Sequence, residues 1–91
     1  MDPLTKNERI GMTDMKDLLN KQGFKCAISG RPLSPDNCSL DHIMPLSRGG
    51  THTLNNAQLV RVEVNHAKGQ MTEEELLALC VDICHHKKLL K

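Results

Sequence analysis

The chain has 91 residues, with 12 basic against 11 acidic side chains, and Phe24 is its single aromatic residue. A net charge near zero excludes a uniformly basic, histone-like binder of nucleic acid but leaves room for a basic patch. The core must be aliphatic and thin, and a single domain this small often leans on a metal, a disulfide or a partner subunit.

In chain order, residues 1–12 read as a polar lead-in. MDPLTKNERIG lacks the apolar centre of a signal peptide. Thr13 or Asp14 can cap a helix over residues 13–22, with Met15, Leu18 and Leu19 as its apolar stripe and Gly23 as its stop. FKCAISGRPLSPDNCSL is rich in Gly, Pro, Ser and Asn, which predicts short strands and tight turns. LDHIM reads as a strand, and Pro45 must end regular pairing or lie on an edge. Residues 46–55 form a loop in which Gly49 and Gly50 permit positive φ. AQLVRV is a second strand that pairs back on LDHIM as a wide hairpin. EVNHAKG is short and ends in Gly69, which predicts a brief helix.

Thr72 and Glu75 make a T-x-x-E capping box that opens a last helix over residues 72–91. Its apolar stripe is Leu76, Leu77, Cys80, Val81, Ile83 and Cys84, expected to be buried. Glu73, Glu74 and Glu75 suit a helix start, and the basic tail HHKKLLK suits a helix end. The four cysteines, Cys26, Cys38, Cys80 and Cys84, are too few and too irregular for a secreted disulfide scaffold. No run reaches transmembrane length. The expectation is a cytoplasmic protein with free thiols and no membrane contact.

Four residues carry the chemistry: Asp41, His42, Asn56 and Asn65. Asp and Asn offer oxygen ligands suited to a hard cation such as Mg2+ or Mn2+. A histidine beside such a cation is a candidate general base, because its pKa lies near neutrality. Together they suit hydrolysis of a phosphodiester, with Arg48, Arg61 or Lys68 available to hold neighbouring phosphates.

The ordered set LDHIMPLSRGG, Asn56 in LNNAQLV and Asn65 in VNHAKG resembles the HNH endonucleases, the ββα-metal nucleases. Fourteen positions separate His42 from Asn56 and nine separate Asn56 from Asn65, as in the HNH domains of RNA-guided DNA nucleases. CAISGRPL is similar to the turn that precedes the motif in many phage and bacterial members. The resemblance covers residues 23–71. It implies a small α+β domain, a two-stranded hairpin plus a short helix, here with flanking N- and C-terminal helices. It implies cleavage of DNA with a divalent ion, Mg2+ or Mn2+ first and Zn2+ or Ni2+ as alternatives. Asp41 and Asn65 would be metal ligands, with His66 the alternative helix ligand. His42 would be the base, and Asn56 would brace the loop that aims it. Lys68, three residues after Asn65, would meet a phosphate.

Two geometric demands follow. Adjacent strand residues face opposite ways, so Asp41 and His42 converge only if the site wraps an irregular strand end. His66 lies about 100° round the helix from Asn65, so one of the two reaches the metal. The chain also departs from the family. Many members carry a structural zinc on two Cys-x-x-Cys pairs, but here the positions read Cys26, Ser29, Arg61 and Val64, so no structural zinc is expected. Packing by Val60, Val62 and Val64, or a partner subunit, must replace it. Cys80 and Cys84 before His85 and His86 read as buried small hydrophobes rather than a second zinc site.

DNA is the expected partner. A homodimer is compatible with the reading, and a phage or restriction-system partner is not specified by the residues. The alternatives are a catalytically weak HNH-like module that binds DNA or protein, and an RNase on the same fold.

Overall fold

A computed structural model describes residues 10–90, so most of the lead-in lies outside the described residues. Five elements follow one another: helix α1 (Met12–Lys21), strand β1 (Cys38–His42), strand β2 (Ala57–Arg61), helix α2 (Val62–Lys68) and helix α3 (Glu73–His86). The arrangement is α+β, a two-stranded hairpin with helices around it.

Helix α1 starts one residue before the expected cap. Gly11 occupies the cap position and has no side chain to accept a bond. Asp14 supplies the polar contact instead, its carboxylate accepting the Gly11 N–H at 3.1 Å. After the helix, Gln22 docks α1 onto the hairpin. Its side-chain oxygen accepts the Leu59 N–H at 3.0 Å, and its amide donates to the Leu59 carbonyl at 2.9 Å. One amide side chain thus meets both outward-facing backbone groups of Leu59 on the β2 edge.

The hairpin is antiparallel, with Cys38 opposite Arg61 and His42 opposite Ala57. The first strand therefore begins two residues before LDHIM and stops at His42. Ile43 and Met44 leave the ladder because Asn56 captures them. The Ile43 N–H donates to the Asn56 carbonyl at 2.9 Å, and Met44 is held by the Asn56 side chain. Pairing ends before Pro45 is reached.

Leu59 and Val60 are both fully buried. They are neighbours on a strand and so face opposite sides; β2 is covered on both faces. Cys26 and Leu33 join them in the core, and Met15, Leu18, Leu19, Ile28, Leu40 and Val64 pack against it. This is a thin aliphatic core, as one aromatic residue requires.

Cys26 lies where the zinc-bearing relatives would place a ligand. Its sulfur accepts the backbone N–H groups of Ser29 and Arg61, both at 3.4 Å. Burial pushes the thiol up, but those donors outweigh it and leave Cys26 below the usual thiol range. Arg61 then closes the clip. It donates to Glu63 at 2.9 Å and to the Pro32 carbonyl at 3.1 Å. Valine packing is therefore only part of what replaces the zinc; an arginine-centred set of hydrogen bonds supplies the rest.

Helix α3 departs most from expectation. The Thr72–Glu75 capping box forms in full. The stripe, however, is not buried in this chain. Leu76 alone is covered, Cys84 is half-buried, and Leu77, Cys80, Val81 and Ile83 are exposed. Among the described residues the core reaches only the first turn of the helix, so most later positions stay open to solvent. The described chain is correspondingly long and flat, 56 × 28 × 18 Å.

Candidate active site

A cleft of about 200 Å³ lies at the C-terminal end of β1, lined by Asp41, His42, Pro45, Asn65 and Gln70 among others. Asp41 and His42 point to opposite sides of the strand, as neighbours must, yet both reach this cleft. They do so because His42 is the last paired residue. Asp41 turns toward α2 and His42 toward the loop, and the cleft wraps the end between them.

Asp41 is buried and its carboxylate is held from two sides. Lys68 donates to Oδ1 at 3.0 Å, and Gln58, its partner across the hairpin, donates to Oδ2 at 2.9 Å. Lys68 is itself fully buried and also donates to the carbonyls of His42 at 2.9 Å and Ile43 at 3.2 Å. An ammonium has three protons to give, and all three are used within the protein. The expectation that Lys68 meets a phosphate is corrected by this geometry. The helical face it shares with Asn65 looks inward onto the strand end, so the lysine neutralises a buried carboxylate.

Asn65 sits on α2 and donates from Nδ2 to the Ser39 hydroxyl at 2.7 Å and the Leu40 carbonyl at 3.2 Å. Its Oδ1 has no hydrogen-bond donor among the described residues. The neighbouring His66 is exposed and does not line the cleft.

His42 is half-buried, and its Nε2 lies 2.8 Å from Nδ1 of His52. Burial first, then His52, pull its pKa below the ordinary imidazole value; Asp41 opposes them and Lys68 adds to the lowering. The ring is therefore neutral near pH 7. The loop that brings His52 here is shaped by Asn56. The Asn56 Oδ1 accepts the Met44 N–H at 2.9 Å, and Nδ2 donates to the carbonyls of Met44 at 3.0 Å and Thr51 at 2.8 Å. The same loop needs its glycines. Gly49 has φ 91°. A Cβ on Gly50 would lie 1.8 Å from the Met44 carbonyl oxygen, a contact no side chain can make.

The other two basic candidates are also engaged. Arg48 pairs with Glu75 at the start of α3, which ties the loop to that helix. Arg61 is bound to Glu63 and Pro32 at the far end of the hairpin, roughly 13 Å along the strand from His42. Both arginines thus serve internal contacts here rather than free phosphate sites.

Three contributing residues escaped the sequence reading: Ser39, His52 and Gln58. Gln58 was within reach, since an antiparallel hairpin with His42 at its end puts Gln58 opposite Asp41. His52 lies in an irregular loop and carries no periodic signal. Among the described residues no three His, Cys, Asp or Glu side chains gather as a metal cluster. The Asp41–Asn65 pair is of another kind, a carboxylate beside an amide.

Comparison with protein families matches residues 26–73, more than half of the chain, to a model described as HNH endonuclease. No curated protein matches the chain. The matched span runs from the Cys26 turn through both strands and α2 to the first residue of α3, and so includes the whole cleft. The chain therefore belongs to the HNH endonuclease family, a family of nucleases.

Proposed function

We propose that the protein is a metal-dependent endonuclease that hydrolyses DNA phosphodiester bonds, with His42 as general base and Asp41 and Asn65 as the protein ligands of one divalent cation. The observation that carries this reading is the meeting of these three side chains in one cleft at the end of β1.

The donor set fits a hard cation. A carboxylate has about four acceptor sites, and Lys68 and Gln58 occupy two of them. Asn65 spends its amide hydrogens on β1 and keeps Oδ1 for the cleft. Oxygen donors of this kind favour Mg2+ or Mn2+, with Zn2+ or Ni2+ as alternatives. When bound, such an ion supplies charge neutralisation at the scissile phosphate and at the leaving oxygen.

The chain's own residues prepare the proton transfer. In the tautomer in which His42 donates from Nε2 to His52 Nδ1, its own Nδ1 is the basic nitrogen left to take a proton from water. Asn56 contacts backbone only and is a positioning residue for the loop that carries His52. Lys68 holds the Asp41 carboxylate in place. With Arg48, Arg61 and Lys68 engaged in internal contacts, other basic residues would have to meet the DNA backbone, and cleavage should weaken as salt rises. One cleft per chain cuts one strand per event and produces a nick.

Relaxation of supercoiled plasmid tests the reading. With Mg2+ or Mn2+ the protein should yield nicked circles. EDTA should abolish the product, and His42→Ala should lower the rate at least ~100-fold with an unchanged circular-dichroism spectrum. Cleavage that survives both EDTA and His42→Ala would sink this mechanism. Cleavage of RNA but not DNA would move the protein to the RNase alternative.

A further inference from the structure

Helix α3 presents an apolar seam that nothing among the described residues covers. Leu79 and Ile83, 46% and 51% exposed, lie on another side of the helix; on the seam side Leu77 is 48% exposed and Val81 44%. Cys80 is exposed beside them and Cys84 half-buried. Leu77, Cys80 and Cys84 recur at steps of three and four, and Glu73 and Lys87 continue the same row at its two ends. That spacing is the contact row of a paired helix. Among the described residues Leu76 is the one buried position on this helix, so the core leaves the seam open.

The charges at the two ends of the helix say what fits. Glu73 and Glu74 stand at the start; His85, His86, Lys87 and Lys88 stand at the end. Glu75 is already committed to Arg48 and Thr72. A second copy laid parallel would set acid against acid and base against base. A copy laid antiparallel sets acid against base at both ends and opposes the two helix dipoles favourably. A two-fold axis produces that arrangement from identical chains.

We propose that α3 is a homodimerisation helix that packs antiparallel on α3 of a second copy, with Leu77, Cys80, Val81 and Cys84 in the seam and Glu73 of each chain facing Lys87 of the other. The helix has 14 residues, so the seam is about 21 Å long. A single helix pair of that length lies below the ~1,200 Å² of a standard interface, which makes the dimer reversible, with Kd on the order of 10 μM.

Sedimentation velocity on the full chain, from about 1 to 200 μM around that Kd, reads the association directly. A monomer-to-dimer shift is expected. A monomer throughout overturns the proposal. Leu77→Lys with Val81→Lys should give a monomer at every concentration; because both side chains are exposed, the circular-dichroism spectrum and melting temperature should stay close to those of the parent. A dimer that survives this pair of changes uses another surface and also overturns the proposal. Charge reversal then fixes the direction. Glu73→Lys alone and Lys87→Glu alone should each weaken the dimer about tenfold, and the two together in one chain should restore it. In a parallel pair neither single change would act this way, because each residue would face its own copy. Single reversals without effect therefore overturn the antiparallel arrangement. None of these readouts depends on cleavage.

Discussion

The two ends of the hairpin are each closed by an ion pair, and the pairs are of opposite kinds. At the His42 end, Lys68 and Asp41 meet with side chains 0% and 4% exposed. At the Cys38 end, Arg61 and Glu63 meet with side chains 25% and 50% exposed. The exposed pair stands where relatives keep a zinc, and its work is structural. It joins the Pro32 turn to the start of α2 while water still reaches it. The buried pair is costly to form, because two charges leave water. What the comparison teaches is where this small chain accepts that cost: beneath the proposed metal ligand, where a carboxylate must be held still by partners other than solvent.

The comparison can be broken first at its buried end. Lys68→Met leaves the Asp41 carboxylate without its counter-charge, and the expected loss is about 3–5 kcal/mol of stability, measured by urea denaturation. Adding Asp41→Leu should recover much of it, because the uncompensated charge is removed. A loss below about 1 kcal/mol in the single variant would mean the pair behaves like an exposed one.

Asn56→Ala should come next, at about 1–3 kcal/mol. It strips partners from the Met44 N–H and from the Met44 and Thr51 carbonyls. Because the loop also carries His52, plasmid cleavage should fall by more than the change in folded fraction explains. An activity loss that merely tracks unfolding would assign Asn56 to stability alone.

A smaller effect concerns pH. A base works only when neutral, so with His42 in the proposed role the rate should rise as pH climbs through its pKa. Burial and His52 hold that pKa below 6.5, which places the acid limb of the rate profile below that value. His52→Ala removes one of the lowering causes, and the limb should move to higher pH. A limb that stays in place, or moves down, contradicts the assigned contact.

The smallest effect is expected at the exposed end. Arg61→Ala should lower the melting temperature several-fold less than Lys68→Met does. Any rise in melting temperature with added Zn2+ should be the same in Cys26→Ala, because Ser29, Arg61 and Val64 stand at three of the four ligand positions of a structural zinc. A zinc-dependent rise traced to Cys26 would overturn the description of this end.

Much of the site can be read from the chain before any fold is known. Asp41, His42, Asn56 and Asn65 are legible as a set because their order and spacing survive in one dimension. The capping box at Thr72 and Glu75 is legible because capping is local, within one turn of backbone. His52 is not legible, since only the particular path of the loop brings its ring to His42. The basic residues misled for a related reason. A sequence shows that Arg48, Arg61 and Lys68 are cations, but not that Glu75, Glu63 and Asp41 lie within reach of them.

The amino-acid sequence by itself determined the hairpin, the short helix with its glycine stop and the family to which the chain belongs, because these rest on local periodicity and a spaced motif. Tertiary structure alone decided which charges are spent inside the molecule and which apolar face is left over. Ion pairing and burial depend on distances between residues far apart in the chain. Lys68 therefore became an internal counter-ion, and α3, apolar on paper, emerged half uncovered beyond a core too small to hold it.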